Sequence, residues 1–517
     1  MNQPQHPSRR HLIAGGAGIA AGLVVPTLTT AAAFAAPPGA DDKRPAGRSQ
    51  LLRWASDTWA SLAAMADPGT GLVSDKIPGT LTGRVANTSP TNIGGYLWSC
   101  IVARDLGVIA PGESRRRIAQ TLNTLARMDH HASSGMFYNW YDVRDGSVLT
   151  TWPENGSLVR PFVSSVDMGW LGAALWVVAN ADPSNRKAAL ALYSPMRWDV
   201  FFDRSFAKQP GANYGGFYTA PNPDRTDLVQ LPPLNGVGGP DVWYTANHHY
   251  DTAVSESRMV TYLGIVRGQI PGGAYYATWR TFPADWTWPE MTPVGQTRTY
   301  LGVDVYEGAY RYPYPDGLYV VPGWGGSMFE ELMPDLFVPE ATWAPGSWGK
   351  NHPNHVAAQI HHGMVDARYG YWGFSPSNDP YGAYREYGVD ALGLNPDGYF
   401  SDEEKTNYTP TSPPTTYGDG IVTPHASFLA MMHAPGEATA NLLGIQNRLG
   451  AYGKGGFYDA VGTRSGKISR WHLSLDQSMI MGAIGNVVTR DGLRKYFATA
   501  PVESALRPVI APEQFSI

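Results

Sequence analysis

Cysteine is nearly absent from this sequence of 517 residues, because Cys100 is its only cysteine. A single cysteine excludes an intramolecular disulfide and any zinc or iron–sulfur site built from cysteines alone. Charged residues make up only 16% of the chain, and its 39 basic residues do not outnumber its 44 acidic residues, which leaves a formal net charge of −5. We therefore expect no nucleic-acid partner, because proteins that bind polyanions usually carry a basic excess.

The sequence motifs that mark several enzyme classes are also missing. The chain has no HExxH pattern, no GxGxxG after a strand, no P-loop and no Gly-x-Ser-x-Gly. The sequence therefore carries no signature of a metallopeptidase, a nucleotide-binding enzyme or a serine esterase. Histidines cluster at His248-His249, His352-x-x-His355 and His361-His362, but they show no regular spacing with acids. We predict no metal site and no cofactor.

The N-terminus carries an apolar run. A paired arginine, Arg9-Arg10, precedes a mild stretch rich in glycine and alanine that ends at Ala33-Phe34-Ala35-Ala36. This pattern resembles a twin-arginine export signal, so we predict a signal over residues 1–36, a flexible lead-in over 37–47 and a secreted protein. A transmembrane anchor is the alternative, which the glycines in the run weaken. No other stretch reaches 18 apolar residues, so we expect no membrane span after cleavage near Ala35-Ala36.

Glycine and aromatic residues are abundant, with 58 Gly, 28 Tyr and 17 Trp. Apolar residues recur at helical spacing along the chain, whereas strand-like alternation is rare. The spacing predicts helices over 49–66, 91–106, 113–128, 165–181, 186–194, 251–268, 325–334, 353–368, 421–433, 436–449, 474–488 and 490–498. Long loops rich in glycine, proline and aromatic residues lie at 203–248, 284–324, 370–420 and 450–472.

This alternation of helices with short and long connections predicts an all-α fold, an (α/α)6 toroid or barrel, in a single domain over residues 48–517. Six inner helices would ring a cavity, and the long aromatic- and glycine-rich loops would form a cleft at one rim. A helical bundle with a separate loop-rich domain is the alternative. Aromatic rings on glycine-rich loops suit a neutral ligand with flat faces, although protein cores also use aromatic residues.

Two acids stand in apolar or aromatic surroundings, where a carboxyl can be held protonated near neutral pH. Glu256 has apolar residues three, four and seven positions later, so we place it on the apolar face of a helix, near the helix start. Glu330 follows a Trp-Gly-Gly turn, and its neighbour Glu331 would lie about 100° around the same short helix. Such carboxyls could supply the proton donor and the base or nucleophile of glycosidic bond hydrolysis. Ion pairing and helix capping are the alternatives.

Three further acids could bind sugar hydroxyls. Asp167 follows Ser164 at the spacing of a capping box, which explains the acid without a function but also places it at a helix start. Asp476 lies near another predicted helix start, and Glu386 lies beside Arg385 in a loop rich in tyrosine and glycine. A first-turn acid and a surface salt bridge are the respective alternatives.

Nine sequence blocks, occurring in order, resemble those of the glucoamylase-like domains. The blocks are 88–94, 137–142, 164–167, 255–258, 327–334, 372–376, 384–388, 455–459 and 475–477. These domains include glycoside hydrolase family 144, the endo-β-1,2-glucanases, and the helical toroid inside cyclic β-1,2-glucan synthases. The resemblance spans about residues 88 to 480 and implies an (α/α)6 barrel that acts on a β-glucan, with β-1,2 linkages expected.

The resemblance also implies roles for particular residues. Carried over block by block, Asp167 and Glu256 sit in the sugar cleft with Glu330 facing them, and these three are the expected catalytic residues. The chain departs from the family at Glu331, where a tyrosine is usual, so a second acid stands beside Glu330. The residues expected to bind substrate are Asn92, Trp140, Trp324, Trp348, Trp372, Arg385, Glu386 and Asp476. Each of the four tryptophans could equally belong to the core.

The leading hypothesis is therefore a secreted glycoside hydrolase with a neutral polysaccharide or oligosaccharide as its partner. A non-catalytic glycan-binding protein of the same fold is the alternative from another class. A hydrolase or transglycosylase acting on a different bacterial glycan also stays open. A polysaccharide lyase would need a basic cleft for its anionic substrate, which the acidic charge balance disfavours. The oligomeric state stays open.

Overall fold

The computed structural model of the protein describes residues 44–204, 212–281, 292–312, 317–394 and 416–517. The export signal predicted over residues 1–36 and most of the lead-in lie outside these ranges. The α-helices of the described residues are α1 (Arg48–Met65), α2 (Pro90–Asp105), α3 (Pro111–Leu125), α4 (Ser165–Ala181), α5 (Arg186–Tyr193), α6 (Arg258–Val266), α7 (Met328–Leu332), α8 (Glu340–Trp343), α9 (Trp348–His361), α10 (Pro424–Ala430), α11 (Pro435–Asn447), α12 (Ser474–Thr489), α13 (Gly492–Phe497) and α14 (Ala500–Ile510).

Six of these helices form an inner ring. Helix α12 packs against α2, α2 against α4, α4 against α6, α7 against α10, and α10 against α12. Hydrogen bonds from Arg258 at the start of α6 to the carbonyls of α7 close the remaining gap. An outer layer surrounds the ring, since α1, α3, α5, α14, α9 and α11 each pack against an inner helix. Burial separates the layers: α2 buries 14 of its 16 residues, but α3 buries six of 15.

Glycines allow the inner helices to approach closely. A Cβ atom at Gly94 in α2 would lie 2.9 Å from the Trp170 carbonyl oxygen of α4, and one at Gly95 would lie 2.5 Å from Ser478 Oγ of α12. Real Cβ atoms do not approach neighbours so closely. The two glycines therefore bring α2 against both of its neighbours in the ring, and a larger residue at Gly94 would push backbone apart from backbone.

Serine side chains define where three inner helices begin. The hydroxyl oxygens of Ser89, Ser164 and Ser327 accept hydrogen bonds from the backbone N–H three residues later, at the starts of α2, α4 and α7. An N-cap serine satisfies one of the backbone donors that a helix start leaves without a partner. The capping predicted for Ser164 is confirmed.

Short strands occupy the loops between the helices. They are β1 (Lys76–Pro78), β2 (Asn87–Thr88), β3 (His130–His131), β4 (Met136–Phe137), β5 (Tyr141–Asp142), β6 (Phe162–Ser164), β7 (Phe202–Asp203), β8 (Ala212–Tyr214), β9 (Gly216–Tyr218), β10 (Leu228–Val229), β11 (Trp243–Thr245), β12 (His249–Tyr250), β13 (Thr297–Tyr300), β14 (Val303–Tyr306), β15 (Tyr310–Tyr312), β16 (Leu318–Val320), β17 (Ser377–Asn378), β18 (Tyr384–Arg385), β19 (Ile421–Val422), β20 (Tyr452–Gly453), β21 (Gly456–Phe457), β22 (Ala460–Gly462), β23 (Ile468–Ser469) and β24 (Trp471–Leu473). All their pairings are antiparallel, and the largest sheet has the order β10-β11-β9-β6.

The predicted helices correspond to helices of the structure, with differences at their ends. The main correction concerns the helix expected over 251–268, which begins only at Arg258 and places Glu256 in the preceding turn. Helix α9 begins five residues earlier than predicted, with Pro353 inside it, and a π-helical turn (His362–Asp366) follows. Helices α8 and α14 and the short strands are additions to the prediction. Across the described ranges, no helix combines the length and hydropathy needed to cross a membrane.

Candidate active site

The first turns of the inner helices bring polar residues to one rim of the ring. Asn92, Asp167, Glu330 and Asp476 each occupy the third helical position, in α2, α4, α7 and α12 respectively. Glu256 lies two residues before α6. Side-chain contacts join these helix starts: Thr91 of α2 bonds to Asp167 of α4, Trp170 of α4 bonds to Glu256 before α6, and Arg258 of α6 bonds to the backbone of α7. The positive end of a helix dipole favours a carboxylate at each of these positions.

Glu256 accepts a hydrogen bond from the indole of Trp170 in α4, the neighbouring helix of the ring. Trp170 Nε1, in α4, lies 2.5 Å from Glu256 Oε2, and both side chains are buried. Trp170 is itself held in place by contacts with the rings of Trp98 and Phe337. The donor therefore comes from a rigid core residue, which fixes where the Glu256 carboxyl points.

Glu330 is an acid with a raised proton affinity. The residue is partly exposed as a whole, but protein encloses its carboxyl, and this burial raises the pKa of Glu330 from 4.5 to about 7, with the nearby charge of Glu256 adding to the rise. Ser327 Oγ donates a hydrogen bond of 3.0 Å to Glu330 Oε2, which opposes part of the shift. The two glutamates thus interact electrostatically, and Glu330 holds a proton at near-neutral pH.

Glu331, the neighbour of Glu330, points into a different environment. Its carboxylate is fully buried, lies 2.6 Å from His352 Nδ1 and accepts hydrogen bonds from Asn351 Nδ2. Burial alone would raise the pKa of Glu331, but the charge and hydrogen bond of His352, together with the charges of His355 and Arg258, hold that pKa below its ordinary value. The two acids therefore do not share one environment, as their angular separation on the helix predicted.

Asp167 lies between the first two helices of the ring. Thr91 Oγ1 donates a hydrogen bond of 2.6 Å to Asp167 Oδ1. With the side-chain amide of Asn139 oriented to satisfy its neighbours, Asn139 Nδ2 donates to Asp167 Oδ2 at 2.8 Å, and Asn139 Oδ1 accepts from Trp140 Nε1 at 3.0 Å. Asp167 is buried and well satisfied, and this network connects it to Trp140.

Asp476 faces another acid across the rim. Its Oδ2 lies 3.3 Å from His425 Nδ1 of α10. Burial, followed by the Asp476 charge and a hydrogen bond between the two carboxyls, raises the pKa of Asp459 well above its ordinary value. Burial also lowers the pKa of His425 to about 4, so the imidazole is neutral there. Burial and the Asp476 charge therefore both favour the protonated form of Asp459, beside a neutral histidine.

The other predicted binding residues have mixed environments. Asn92 donates from Nδ2 to Asp75 Oδ1 at 3.1 Å and is buried. Arg385 pairs with Asp379 and, like Glu386, is partly exposed. Trp140 is 8% exposed and contacts Trp152 edge to face.

Two of the remaining predicted tryptophans are in the protein interior. Trp348 is completely buried: the guanidinium of Arg258 lies 4.4 Å from its ring centroid, and its ring stacks on His352. Trp372 is 2% exposed, and its backbone carbonyl accepts from Asn441. Their environments support core roles rather than stacking against substrate, which the sequence left open for each tryptophan. Trp324, also buried, belongs to the turn directly before α7.

Sequence reasoning missed several residues that support the site. Thr91, Asn139 and Asp459 lie inside the matched sequence blocks, so those blocks held a signal that single-residue reasoning did not use. Trp170 has no such signal, because nothing in a mostly apolar helix marks one tryptophan as a hydrogen-bond donor to a distant glutamate.

The site and the ring define the protein as a helical toroid with carboxyls gathered at one rim. Residues 248–501 match the model of the family described as putative glucoamylase, and residues 53–203 match a family described as a protein of unknown function, DUF3131. A cyclic β-(1,2)-glucan synthase of Rhizobium meliloti (strain 1021) is 27% identical over 272 residues, which cover 50% of this chain and 8% of that protein. The chain thus matches only a small part of that relative.

Solved structures share the fold over nearly the whole chain. An endo-β-1,2-glucanase from Chitinophaga pinensis, in complex with sophorotriose and glucose, has a TM-score of 0.63 at 14% identity and covers 90% of this chain and 98% of its own. A putative glucoamylase from Bacteroides uniformis gives 0.62 at 16% identity, with coverage of 90% and 98%. An endo-β-1,2-glucanase from Talaromyces funiculosus, in complex with sophorose, gives 0.60 at 14% identity, with 90% of each chain covered.

These comparisons confirm the resemblance predicted from the sequence. At such identities the solved structures establish the fold, and the match over residues 248–501 connects the chain to the putative glucoamylase family. They support the predicted class of enzyme, a glycoside hydrolase.

Proposed function

We propose that the protein is a secreted glycoside hydrolase that cleaves a β-glucan, with β-1,2-glucan as the expected substrate. The observation that carries this proposal is the pair formed by Glu330, protonated near pH 7, and the neighbouring Glu256 at the rim of a helical toroid. Hydrolysis of a glycosidic bond needs one carboxyl that donates a proton and one carboxylate that does not. The solved β-1,2-glucanases of the same fold support the choice of substrate.

The two glutamates take different roles in the proposed reaction. Glu330 donates its proton to the glycosidic oxygen as the bond to the leaving sugar breaks. Glu256, fixed by the indole N–H of Trp170, serves as the carboxylate that activates water or attacks the sugar carbon. Asp167 and Asp476, which stand at the same helix ends, are proposed to hold sugar hydroxyls around the reacting bond.

A product assay tests this proposal. The purified protein would be incubated with β-1,2-glucan, other β- and α-glucans and arabinogalactan-type glycans, and the products resolved by chromatography. We expect oligosaccharides from β-1,2-glucan and their loss in Glu256→Gln and in Glu330→Gln. Cleavage of another glycan alone, lost in both variants, would retain the mechanism and replace the substrate. Sugar binding without any cleavage by the wild type would instead indicate a glycan-binding protein.

Export is a separate proposal that rests on the sequence. The paired arginines and the A-x-A end at residues 33–35 support a twin-arginine signal. We expect the full-length chain, expressed in a bacterium with a twin-arginine pathway, to appear outside the cytoplasm at the mass of residues 37–517. An Arg9→Lys/Arg10→Lys variant should stay in the cytoplasm, and unchanged export of that variant would contradict the proposed signal.

A further inference from the structure

We propose that Arg258 is a positioning residue that fixes Glu256 and Glu330 relative to each other. The inference rests on the proposed function, because it assigns Arg258 to the same reaction. Arg258 donates no hydrogen bond to the carboxyl of Glu256 or Glu330. It acts instead through hydrogen bonds to the backbone of the two segments that carry these acids.

The guanidinium of Arg258 joins the two segments that carry the candidate acids. Its Nη1 donates to the carbonyl oxygen of Ser255 at 3.0 Å and to that of Glu330 at 2.6 Å. Its Nη2 donates to the carbonyl oxygen of Glu331. Ser255 directly precedes Glu256, so one planar group holds the turn before α6 against the backbone of α7. The five N–H donors of arginine, fixed in one plane, suit such a link.

The guanidinium is itself held from its other side. Glu340 accepts two hydrogen bonds from Arg258, from Nε at 2.8 Å and from Nη2 at 2.9 Å. Tyr262 Oη donates to Glu340 Oε1 at 2.6 Å, and the Trp348 ring lies 4.4 Å from the guanidinium. Arg258 is 4% exposed and Glu340 is completely buried. The contacts on every side leave the guanidinium one orientation.

This orientation matters because the turn before α6 has few regular constraints of its own. Glu256 lies outside the helix, where the helical hydrogen-bond ladder does not determine its position. Helix α7 has only five residues, so its own ladder is short as well. Catalysis by paired groups is sensitive to placement, and a misplacement of about 1 Å can cost about a hundredfold in rate.

The substitution Arg258→Lys tests the proposal. Lysine keeps the charge but cannot reach Glu340 and three carbonyls with one planar group. The matched control is Arg280→Lys, because Arg280 is also completely buried, pairs with Glu513 and lies against the rings of Tyr275 and Tyr276. Arg280 contacts neither Glu256 nor Glu330 in the hydrogen bonds of the described residues.

Two measurements decide the outcome, both made well below the melting temperature of each variant. Steady-state kinetics on β-1,2-glucan should show kcat lowered about 10- to 100-fold in Arg258→Lys, with KM changed less than about threefold. Hydrogen exchange should increase in both segments, 251–257 and 327–333, in Arg258→Lys. The Arg280→Lys control should lower the melting temperature while kcat and the exchange of segment 327–333 stay at wild-type levels.

A wild-type kcat in folded Arg258→Lys would overturn the proposal, since it would reduce Arg258 to a stabilising residue like Arg280. If Arg258→Lys does not fold, Glu340→Gln replaces it and is judged by the same kinetics and exchange. If the wild type itself releases no product, the proposed function fails. The exchange pattern then decides alone: faster exchange in both segments supports the positioning role, and faster exchange in only one refutes it.

Discussion

The substitution Glu330→Gln should make the protein more stable at alkaline pH. Some acids have a higher pKa in the folded state than in the unfolded chain. The free energy of unfolding then falls as pH rises, because the unfolded chain releases the proton first. The folded pKa of Glu330 is raised by burial, and further by Glu256, from 4.5 to about 7. Its contribution is therefore fully present below about pH 4.5 and is lost as pH rises through 7. Glutamine has nearly the same shape but carries no charge at any pH.

The size of this effect follows from the shift. A rise in pKa from 4.5 to about 7 corresponds to about 3 kcal/mol, since each tenfold change in acidity is worth about 1.4 kcal/mol. Because Glu330 as a whole residue is partly exposed, we lower the expected gain to about 2–3 kcal/mol at pH 8. At pH 4 the wild type and the variant should differ by less than about 1 kcal/mol, because the carboxyl is mostly neutral in both folded and unfolded chains.

Urea unfolding of both proteins at pH 4, 6 and 8 measures this difference directly. Glu331→Gln is the matched control, because it changes the adjacent residue of the same helix in the same way. It should lower the free energy of unfolding at pH 8 by about 3–5 kcal/mol, since it removes one partner of the buried pair with His352. A Glu330→Gln variant that is no more stable than the wild type at pH 8 would refute the reasoning.

Three further predictions follow from the same contacts. The rate constant kcat/KM should fall above about pH 7 as Glu330 loses its proton, which a pH–rate profile measures, and a flat profile from pH 6 to 9 would contradict Glu330 as the proton donor. Trp170→Phe removes the indole donor to Glu256, so kcat should fall about tenfold while the free energy of unfolding changes by about 1 kcal/mol; unchanged kinetics would show that this hydrogen bond does not matter for the reaction. Burial, followed by the charge of Glu513, raises the pKa of Glu307 to about 8, so Glu307→Gln should raise the melting temperature at pH 9 and not at pH 4, with unchanged kcat; equal melting temperatures at pH 9 would contradict it.

The helices were largely predictable because their apolar faces are dictated by burial in the ring. Helix α4 begins and ends where the spacing predicted, since Ser164 caps its start and its apolar run extends to residue 181. The turn around Glu256 was not predictable in the same way. The apolar residues after Glu256 have helical spacing, which predicts a helix that already includes Glu256. The chain before Arg258 instead forms isolated bridges to other loops, at Thr252 and Val254, and local spacing does not predict such contacts.

The candidate site was predictable in its residue types and less so in its contacts. Asp167 and Asp476 could be placed at helix starts because capping and first-turn acids follow local rules. The partners of each acid come from other helices, and a sequence pattern does not determine which side chains meet across a ring. Asp459 illustrates the limit, because burial and, after it, the charge of Asp476 from a different element raise its pKa. The completely buried Trp348 shows that an aromatic residue predicted to bind substrate can belong to the core instead.

Glu330 and Glu331 are consecutive, but the pKa of Glu330 is raised and that of Glu331 is lowered. The difference arises because their side chains leave the helix in different directions and enter different surroundings. Glu331 enters a buried cluster in which three carboxylates, its own and those of Asp335 and Glu340, meet the cations Arg258, Arg494 and His352. His433 also lies 3.1 Å from Asp335. Burial alone would lower the pKa of His352, but the acids of the cluster raise it to about 9. Asp335, Glu340 and His352 lie close enough to hold a metal ion, yet both carboxylates already have cationic partners, Arg494 for Asp335 and Arg258 for Glu340. Among the described residues, the one cation that lowers the pKa of Glu330 is Arg258, which Glu340 pairs, whereas the charge of Glu256 raises that pKa. Ion pairs of Arg258 and Glu331 therefore hold the backbone of α7, and the same short helix carries Glu330, the acid with the raised pKa, at the rim of the ring.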